Sequence, residues 1–375
     1  MKRFFCLVLT VTLLISTVFA APAPPEIPAP CAVLMERDTG KVLFEKNPHE
    51  KLQPASVTKV MTLLLVMEAL DDGKITLDDT VTVSPFAASM GGSQVYLEPG
   101  ETMSVDDMLK ATVIASGNDS AVALAEHVAG SMEGFVSLMN ERAKELGMED
   151  TTFINCTGLP DPDHVTSAYD IALMSRALLA HDTIKNYSTV WMDTLRDGAF
   201  GLSNTNKLLR SYNGITGLKT GSTDAAKYCM SATAERDGME LFAAVMASPT
   251  SAERFSAASK LLDYGFANFA LYDSTKNQSL SPVPVKLGAA QSVPAVFSGE
   301  PKVLVEKSRL SDVTHSITLV EEVHAPVEAG QTLGELSVTA GGEVLATVPI
   351  LAQCSVERVG IKTVFWRMLK SYLIY

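Results

Sequence analysis

Within residues 31–273, strand patterns come first, helical patterns follow, and strand patterns then return before a last helical pattern from Ser251 to about residue 267. Residues 31–47 read as a hairpin, with two apolar runs around an Asp-Thr-Gly turn. Strand patterns return at 214–222 and 227–248, where Asp237 and the glycine after it mark another turn. Late strands that pair with early ones close a sheet with both ends of the chain. This order predicts an α+β domain over residues 31–273, built on one antiparallel sheet.

The texture of the sequence changes after residue 273. Residues 274–355 are rich in valine, in short alternating runs with glycine or proline at the turns, which is typical of a small all-β domain. The 375 residues suffice for two domains with ordinary cores. With 47% hydrophobic and 19% charged residues the chain is globular, and its net charge of -13 argues against nucleic acid as a partner.

The N-terminus has the pattern of a secretory signal. Lys2 and Arg3 precede an apolar run over residues 4–18, and Val18 and Ala20 supply small side chains at the two positions that a signal peptidase reads. We expect a signal peptide over residues 1–20; the alternative is an uncleaved anchor helix, for which the run is short. The Pro-rich residues 21–30 should then form an extended, poorly ordered linker. The predicted location is outside the cell, either secreted or at the outer face of the cytoplasmic membrane.

The cysteines are few for an exported chain. One of the five, Cys6, belongs to the predicted signal peptide, and the others are Cys31, Cys156, Cys229 and Cys354. They are too sparse for a disulfide scaffold and lack the close spacing of a metal site. We expect buried free thiols, with one disulfide as the alternative, and neither a metal nor a cofactor.

The last twenty residues, 356–375, differ in charge from the acidic remainder. On a helical wheel one side is apolar, formed by Ile361, Val364, Phe365, Met368 and Tyr372. The basic residues Arg358, Lys362, Arg367 and Lys370 lie on or near the rest, with Trp366 among them. This composition predicts an amphipathic helix that lies in a membrane interface. The alternative is a terminal helix packed on the protein's own surface.

The segment "PASVTKVMTLLLVMEAL", residues 54–70, places a lysine at the start of an apolar helix. Ser56 and Lys59 are three residues apart and therefore share a helix face. Burial against Val60 and Leu63 would lower the lysine pKa, so that a neutral amine can take the serine proton. The positive end of the helix dipole would favour the same neutral state. This is the only Ser-x-x-Lys in the chain, although roughly one is expected by chance.

Two further motifs support a serine–lysine site. Ser116, with Gly117 and Asn118, lies at a break between two helical patterns, and Lys219–Gly221 forms a Lys-Thr-Gly on a predicted strand. A chance Lys-Thr-Gly is expected roughly 0.1 times in such a chain. A second Ser-x-Asn, at residues 211–213, directly precedes that strand and cannot form a separate wall of a cleft.

The three motifs, in this order and at these intervals, resemble those of the penicillin-binding and serine β-lactamase superfamily. The flanks "LEPGETMSVDDMLKATVIASGNDSAVALAE" and "GLKTGSTDAAKYCMSATAERDGM" look like the low-molecular-mass D-alanyl-D-alanine carboxypeptidases. The resemblance implies a β-lactamase/transpeptidase-like domain, with helices on both faces of its sheet, followed by a β domain and an anchor helix. It also implies release of the terminal D-alanine of peptidoglycan stem pentapeptides through an acyl-enzyme, and acylation by β-lactams.

The resemblance assigns roles to residues of this chain. Ser56 would be the acylated nucleophile and Lys59 its base. Ser116 would relay a proton toward the leaving amine, and Asn118 would bind the substrate amide and the lysine. The main-chain N–H groups of Ser56 and Ser222 would form the oxyanion hole.

The carboxylate of the substrate has its own predicted partners. Lys219 and Thr220 would attract it, and Gly221 would leave space for a peptide added to the strand edge. Arg254 falls where the family has an arginine that helps to hold this carboxylate; the alternative is an arginine on a helix surface. For His164, in a polar loop, a catalytic role is the less favoured interpretation because the lysine already serves as base.

Two rival functions fit parts of the pattern. A serine β-lactamase with these motifs uses a glutamate in an E-x-x-x-N pattern to activate water, and Glu149 and Asn155 miss that spacing. A non-catalytic sensor of β-lactams or wall peptides would not need the intact set of motif residues. The carboxypeptidase is therefore the favoured function.

Overall fold

The computed structural model describes residues 23–276, 278–299, 302–360, 365, 366 and 369. The predicted signal peptide lies outside these residues. The α-helices are α1 (Lys59–Asp71), α2 (Pro85–Ala88), α3 (Val105–Val113), α4 (Asn118–Ala129), α5 (Met132–Glu145), α6 (Ala168–Leu178), α7 (Lys185–Ser188) and α8 (Ser251–Asn268). Short 3₁₀ helices span Ala55–Thr58, Asp182–Ile184, Lys207–Arg210 and Lys307–Asp312.

The strands fall into an early pair, a late triplet with short hairpins between, and a C-terminal group. They are β1 (Cys31–Glu36), β2 (Val42–Lys46), β3 (Thr80–Thr82), β4 (Thr102–Ser104), β5 (Met192–Leu195), β6 (Phe200–Ser203), β7 (Ile215–Thr223), β8 (Lys227–Arg236), β9 (Met239–Ser248), β10 (Phe269–Asp273), β11 (Val283–Lys286), β12 (Ser292–Val293), β13 (Ala295–Phe297), β14 (Lys302–Glu306), β15 (Val313–Leu319), β16 (Val323–His324), β17 (Thr332–Ala340) and β18 (Glu343–Ala352).

The main sheet joins the two ends of the first domain, as the order of patterns predicted. Its strand order is β2-β1-β9-β8-β7, and every neighbouring pair is antiparallel. Strand β1 pairs with β9, so that Val33 lies opposite Ala244. β7 is therefore the edge strand at one side of the sheet, where a cleft can form.

Helices cover both faces of this sheet, because its central strands are apolar on both sides. Along β1, Val33 and Met35 pack with α1 and α6, whereas Ala32 and Leu34 pack with α8. Successive side chains of a strand point to opposite faces, so one strand contributes to two cores. The predicted α+β layout is confirmed, and the almost complete burial of β9 explains why no polar alternation marks that strand.

The Pro-rich segment before β1 is more ordered than its composition predicted. Ile27 and Ala29 are buried in the core that α8 covers. Lys46 Nζ donates to the Ile27 carbonyl at 3.0 Å, and Lys260 Nζ to the Glu26 carbonyl at 3.3 Å. Two apolar side chains among the prolines are enough to hold the second half of this segment against the sheet.

The C-terminal strands form small sheets of their own, in agreement with the predicted β domain. The largest has the order β13-β18-β17-β15. Strand β10 continues directly from α8 and pairs with β14, and Lys302 Nζ lies 2.9 Å from Asp38 Oδ2 in the β1–β2 turn. These contacts attach the β domain to the side of the first domain.

Residues 356 to 359 belong to the β domain by their contacts. Val356 is buried and exchanges backbone hydrogen bonds with Val327, and the Val359 N–H donates to the Leu287 carbonyl. Beyond Gly360, the described residues are 365, 366 and 369, which have helical backbone and exposed side chains. Within the described part of the chain, no helix combines the length and apolarity that crossing a membrane requires.

The described cysteines are free thiols. Cys31, Cys156 and Cys229 are buried, as expected, whereas Cys354 is exposed just after β18. Burial raises the pKa of the Cys156 thiol to about 12, so the thiol stays protonated although Lys59 is nearby.

Candidate active site

Ser56 and Lys59 meet at the start of α1, as the sequence predicted. The first turn, Ala55–Thr58, is a 3₁₀ helix rather than an α-helix. In a 3₁₀ helix the side chains at i and i+3 eclipse each other. This stacking brings Lys59 Nζ to 3.1 Å from Ser56 Oγ.

Lys59 is fully buried, at 0% exposure, without a carboxylate partner among its hydrogen bonds. Its Nζ lies 2.6 Å from Asn118 Oδ1 and 2.9 Å from the Thr157 carbonyl. Burial lowers the pKa of Lys59 to about 7. A neutral amine satisfies this geometry completely, because its two N–H groups donate to Asn118 and Thr157 and its lone pair faces the hydroxyl of Ser56.

Ser116, Gly117 and Asn118 form the turn between α3 and α4, at the predicted break. Ser116 is buried and has φ of +63°. This left-handed conformation costs a residue other than glycine about 1–3 kcal/mol. A Cβ on Gly117 would come within 2.5 Å of Ser120 Oγ, so a larger residue there would displace that buried hydroxyl. Asn118 Nδ2 donates to the Gly91 carbonyl at 2.6 Å, which orients its Oδ1 toward Lys59.

The Lys-Thr-Gly motif lies on edge strand β7, opposite the start of α1. A Cβ on Gly221 would be 2.8 Å from the Ser56 nitrogen and 2.8 Å from the Pro54 carbonyl oxygen. The strand therefore presses against the turn that holds Ser56, and only glycine permits this approach. Ser222, the next residue, is exposed.

Lys219 and Thr220 are buried on the same strand. Lys219 Nζ donates to the Thr220 carbonyl at 3.2 Å, and Thr220 Oγ1 donates to Thr205 Oγ1 at 2.7 Å. Burial, together with the positive charges of Lys59 and Arg254, lowers the pKa of Lys219 well below its ordinary value. The cluster gathers three basic groups in a desolvated place, where a bound anion would stabilise their charged forms.

Arg254 lies inside the protein, so the interpretation as a surface arginine is wrong. It is 6% exposed, and its Nη1 donates to the carbonyls of Gly221 at 3.1 Å and Cys229 at 3.3 Å. Its guanidinium also stacks over the ring of Phe255, 4.6 Å from the centroid. From α8 the arginine thus reaches the backbone of β7 beside Gly221.

His164 is not in contact with Ser56 or Lys59 through any hydrogen bond of its ring. It is buried, with Nε2 2.8 Å from Thr58 Oγ1 and Nδ1 accepting from the Ile154 N–H at 3.0 Å. Burial lowers the pKa of His164 to about 4, so the ring is neutral near pH 7. A neutral ring with a hydrogen bond at each nitrogen supports the interpretation that His164 has no catalytic role.

The loop 154–164 contributes groups that sequence reasoning missed. Thr157 binds Lys59 through its carbonyl, and a Cβ on Gly158 would lie only 1.8 Å from the Ala55 oxygen. Asn155 Oδ1 accepts hydrogen bonds from the N–H groups of both, at 3.1 and 2.7 Å, and so organises the turn. The Asn-Cys-Thr-Gly order was the available signal, since asparagine and glycine together mark a tight turn.

Comparison with known proteins identifies the family. The family model described as D-alanyl-D-alanine carboxypeptidase matches residues 18–250, and the model for the C-terminal domain of penicillin-binding protein 5 matches residues 269–358. The chain belongs to the D-alanyl-D-alanine carboxypeptidase family. The function predicted from the motifs, a serine-type D-alanyl-D-alanine carboxypeptidase, is thereby confirmed.

Two of the similar proteins match this carboxypeptidase over nine tenths of its chain or more. The D-alanyl-D-alanine carboxypeptidase DacF of Bacillus subtilis (strain 168) is 45% identical, over 92% of this chain and 90% of its own. The crystal structure of penicillin binding protein 5 from Haemophilus influenzae matches with TM-score 0.78 and 30% identity, covering 90% of this chain and 100% of that one. Penicillin-Binding Protein D2 from Listeria monocytogenes, in its ampicillin-bound form, matches 65% of this chain and 100% of its own, with TM-score 0.60 and 32% identity.

Proposed function

We propose that this carboxypeptidase removes the terminal D-alanine of peptidoglycan stem pentapeptides through an acyl-enzyme on Ser56. The observation that carries the proposal is the pair formed by Ser56 Oγ and the buried Lys59 Nζ at 3.1 Å. A serine needs a base beside it to become a nucleophile, and a lysine can be that base only when it is neutral.

Acylation begins with attack on the carbonyl carbon between the two D-alanines. The Ser56 oxygen forms the new C–O bond while its proton passes to Lys59 Nζ. The C–N bond then breaks, and the proton returns from the lysine through the Ser116 hydroxyl to the leaving amine. Water later attacks the ester, gives its hydroxyl to the shortened peptide and restores the proton of Ser56.

The negative oxygen of the tetrahedral intermediate is stabilised by main-chain donors. We assign the N–H groups of Ser56 and Ser222 to this oxyanion hole. The close approach of Gly221 to the Ser56 nitrogen supports the assignment, because it brings the segment next to Ser222 to the nucleophile. Each donor of such a hole typically contributes about 3–4 kcal/mol to the transition state.

The free carboxylate of the terminal D-alanine is bound by the positive groups of the β7 wall. Lys219 and Thr220 face the substrate there, and Arg254 supplies charge from behind the strand, where it binds the Gly221 carbonyl. The rest of the peptide pairs with the edge of β7, as an added strand. Asn118 binds the substrate amide from the opposite wall while it holds Lys59.

β-Lactams acylate the same serine. Their ring amide presents a carbonyl, and a carboxylate is attached to the carbon next to the ring nitrogen, which is the arrangement at the D-alanyl-D-alanine end. The ampicillin-bound form of the similar Listeria protein supports this part of the proposal.

The location of the enzyme follows from its two ends. We propose that the signal peptide, residues 1–20, directs export, and that the basic amphipathic tail, residues 356–375, binds the outer face of the cytoplasmic membrane. The exposed side chains of Phe365 and Trp366 support an interfacial tail.

The proposal is tested by incubating the mature protein with a pentapeptide that ends in D-alanyl-D-alanine and measuring free D-alanine. Ser56→Ala should abolish release, whereas Ser211→Ala, which removes an exposed serine of the discarded Ser-x-Asn, should not change it. Release that persists in Ser56→Ala would refute the acyl-enzyme assignment.

A further inference from the structure

A buried chain of hydrogen bonds starts at His164 and ends one residue before the nucleophile. The Ile154 N–H donates to His164 Nδ1 at 3.0 Å, so in the neutral ring the proton is on Nε2. That Nε2–H donates to Thr58 Oγ1 at 2.8 Å, and the Thr58 hydroxyl donates to the Ala55 carbonyl, also at 2.8 Å. Each donor and acceptor along the chain therefore has one assigned partner.

These hydrogen bonds end at the peptide unit between Ala55 and Ser56, in which both the carbonyl and the N–H matter. The Ala55 carbonyl and the Ser56 N–H belong to the same planar peptide unit and point in opposite directions. A group that fixes the carbonyl therefore fixes the direction of the N–H as well. The direction needs fixing, because Ala55 has φ of +48°, a conformation that alanine rarely adopts.

The loop that carries His164 also closes on this plane from its other end. A Cβ on Gly158 would lie 1.8 Å from the Ala55 oxygen and 2.8 Å from Thr58 Oγ1. His164, Thr58 and Ala55 are each at most 2% exposed, so water does not compete for these hydrogen bonds. The loop thus packs against the carbonyl that the threonine holds.

We propose that Thr58 and His164 are positioning residues that aim the Ser56 N–H at the oxyanion of the reaction. The inference rests on the proposed acyl-enzyme at Ser56 and adds to it the reason why this donor is held in place. Neither residue touches substrate; the imidazole orients the threonine hydroxyl, and the hydroxyl orients the peptide plane. A donor aimed in advance stabilises the transition state without reorganisation.

A positioning role and a merely structural role differ in their effect on transition-state binding, which variants of Thr58 can measure. Thr58→Val keeps the shape of the side chain but removes the hydroxyl, whereas Thr58→Ser keeps the hydroxyl and loses one methyl. The readouts are kcat and KM for a D-alanyl-D-alanine peptide, the Ki of a peptide boronic acid, and the melting temperature. The boronate adds to the serine as a tetrahedral adduct, which places an oxygen in the oxyanion hole.

For Thr58→Val we expect kcat to fall about tenfold to a hundredfold, with the boronate Ki raised by a similar factor and KM changed by less than about threefold. Thr58→Ser should recover most of kcat and of the boronate affinity. Wild-type kcat and boronate affinity in Thr58→Val would overturn the inference, whatever its melting temperature. A lower kcat with an unchanged boronate Ki would overturn it too.

A second pair decides the matter if Thr58→Val does not fold. His164→Gln retains an N–H that can donate to Thr58, whereas His164→Leu removes it. A lower kcat and weaker boronate binding in His164→Leu than in His164→Gln are expected, and equal values in both would overturn the inference. Wild-type protein is run beside them: absence of an acyl-enzyme on its Ser56 would instead mean that the proposed function fails.

Discussion

At the scale of single residues, Lys59 is costly for stability and useful for chemistry. Its amine is removed from water and is bonded only to uncharged acceptors, Asn118 Oδ1 and the Thr157 carbonyl among them. Such surroundings penalise the ammonium and leave the free amine, which is the form that can accept a proton. The same surroundings would be a defect for a lysine with no catalytic task.

The pH dependence of acylation follows from this lysine. Burial lowers the Lys59 pKa from its ordinary 10.5 to about 7, and the neutral form is the active one. The second-order rate constant for acylation by a penicillin should therefore rise roughly tenfold per pH unit below 7 and level off above it. Lys59→Arg, which cannot release its proton, should be slower by orders of magnitude at every pH. A rate that keeps rising to pH 10 would mean that the amine is not neutralised by its site.

Arg254 gives a second prediction for a single side chain. Its charge lies beside Gly221, so it should matter only when the substrate carries a terminal carboxylate. Amidation of that carboxylate should slow turnover by the normal enzyme much more than turnover by Arg254→Ala. Equal losses in the two enzymes, measured as kcat/KM, would remove Arg254 from carboxylate recognition.

At the scale of elements, the sequence predicted the strands and helices that carry the site but not the loops that complete it. The spacing of Ser56 and Lys59 indicated a shared helix face, and Lys219 was expected on a strand. Asn155 and Gly158 mark a turn, but the sequence does not indicate that its Thr157 carbonyl accepts a hydrogen bond from Lys59. The positive φ of Ser116 and Ala55 was equally invisible, since strain at these turns is imposed by the packing around them.

The contact between strand β7 and the first turn of α1 is testable through one glycine. In Gly221→Ala the new methyl would meet two backbone atoms at 2.8 Å, which cannot rotate away, so Ser56 or the strand must shift. We expect kcat/KM to fall about a hundredfold. Gly201→Ala, on β6 with open space around its Cα, is the matched control and should change kcat/KM by less than about threefold. Similar activity of the two variants would show that this approach is not needed for catalysis.

At the scale of the whole molecule, the closed sheet explains how distant motifs meet. The early hairpin pairs with β9, the last strand of the main sheet along the chain, and α1 lies across from β7 although some 160 residues separate Ser56 from Lys219. The β domain is attached at the end of α8 and at the β1–β2 turn, through the ion pair of Lys302 with Asp38. Catalysis and the proposed binding to the membrane can therefore reside in different parts of one chain.

The proposed membrane role of the tail is tested by truncation. Because residues 356–359 pair within the β domain, the cut should follow Gly360. This removes Lys362, Arg367 and Lys370, each worth about 1 kcal/mol near an anionic surface, together with the apolar side of the predicted helix. The shortened protein should keep full activity on soluble peptides but no longer sediment with anionic vesicles. Equal sedimentation of shortened and complete mature proteins would favour a tail packed on the β domain.

Detection of the covalent intermediate is the most direct test of the proposed mechanism. The mature protein is mixed with a penicillin, quenched in acid and digested, and the modified peptide is located by mass spectrometry. One adduct per molecule is expected, on Ser56 in the segment "PASVTK", and none in Ser56→Ala. An adduct on another residue, or an unchanged adduct in Ser56→Ala, would contradict it.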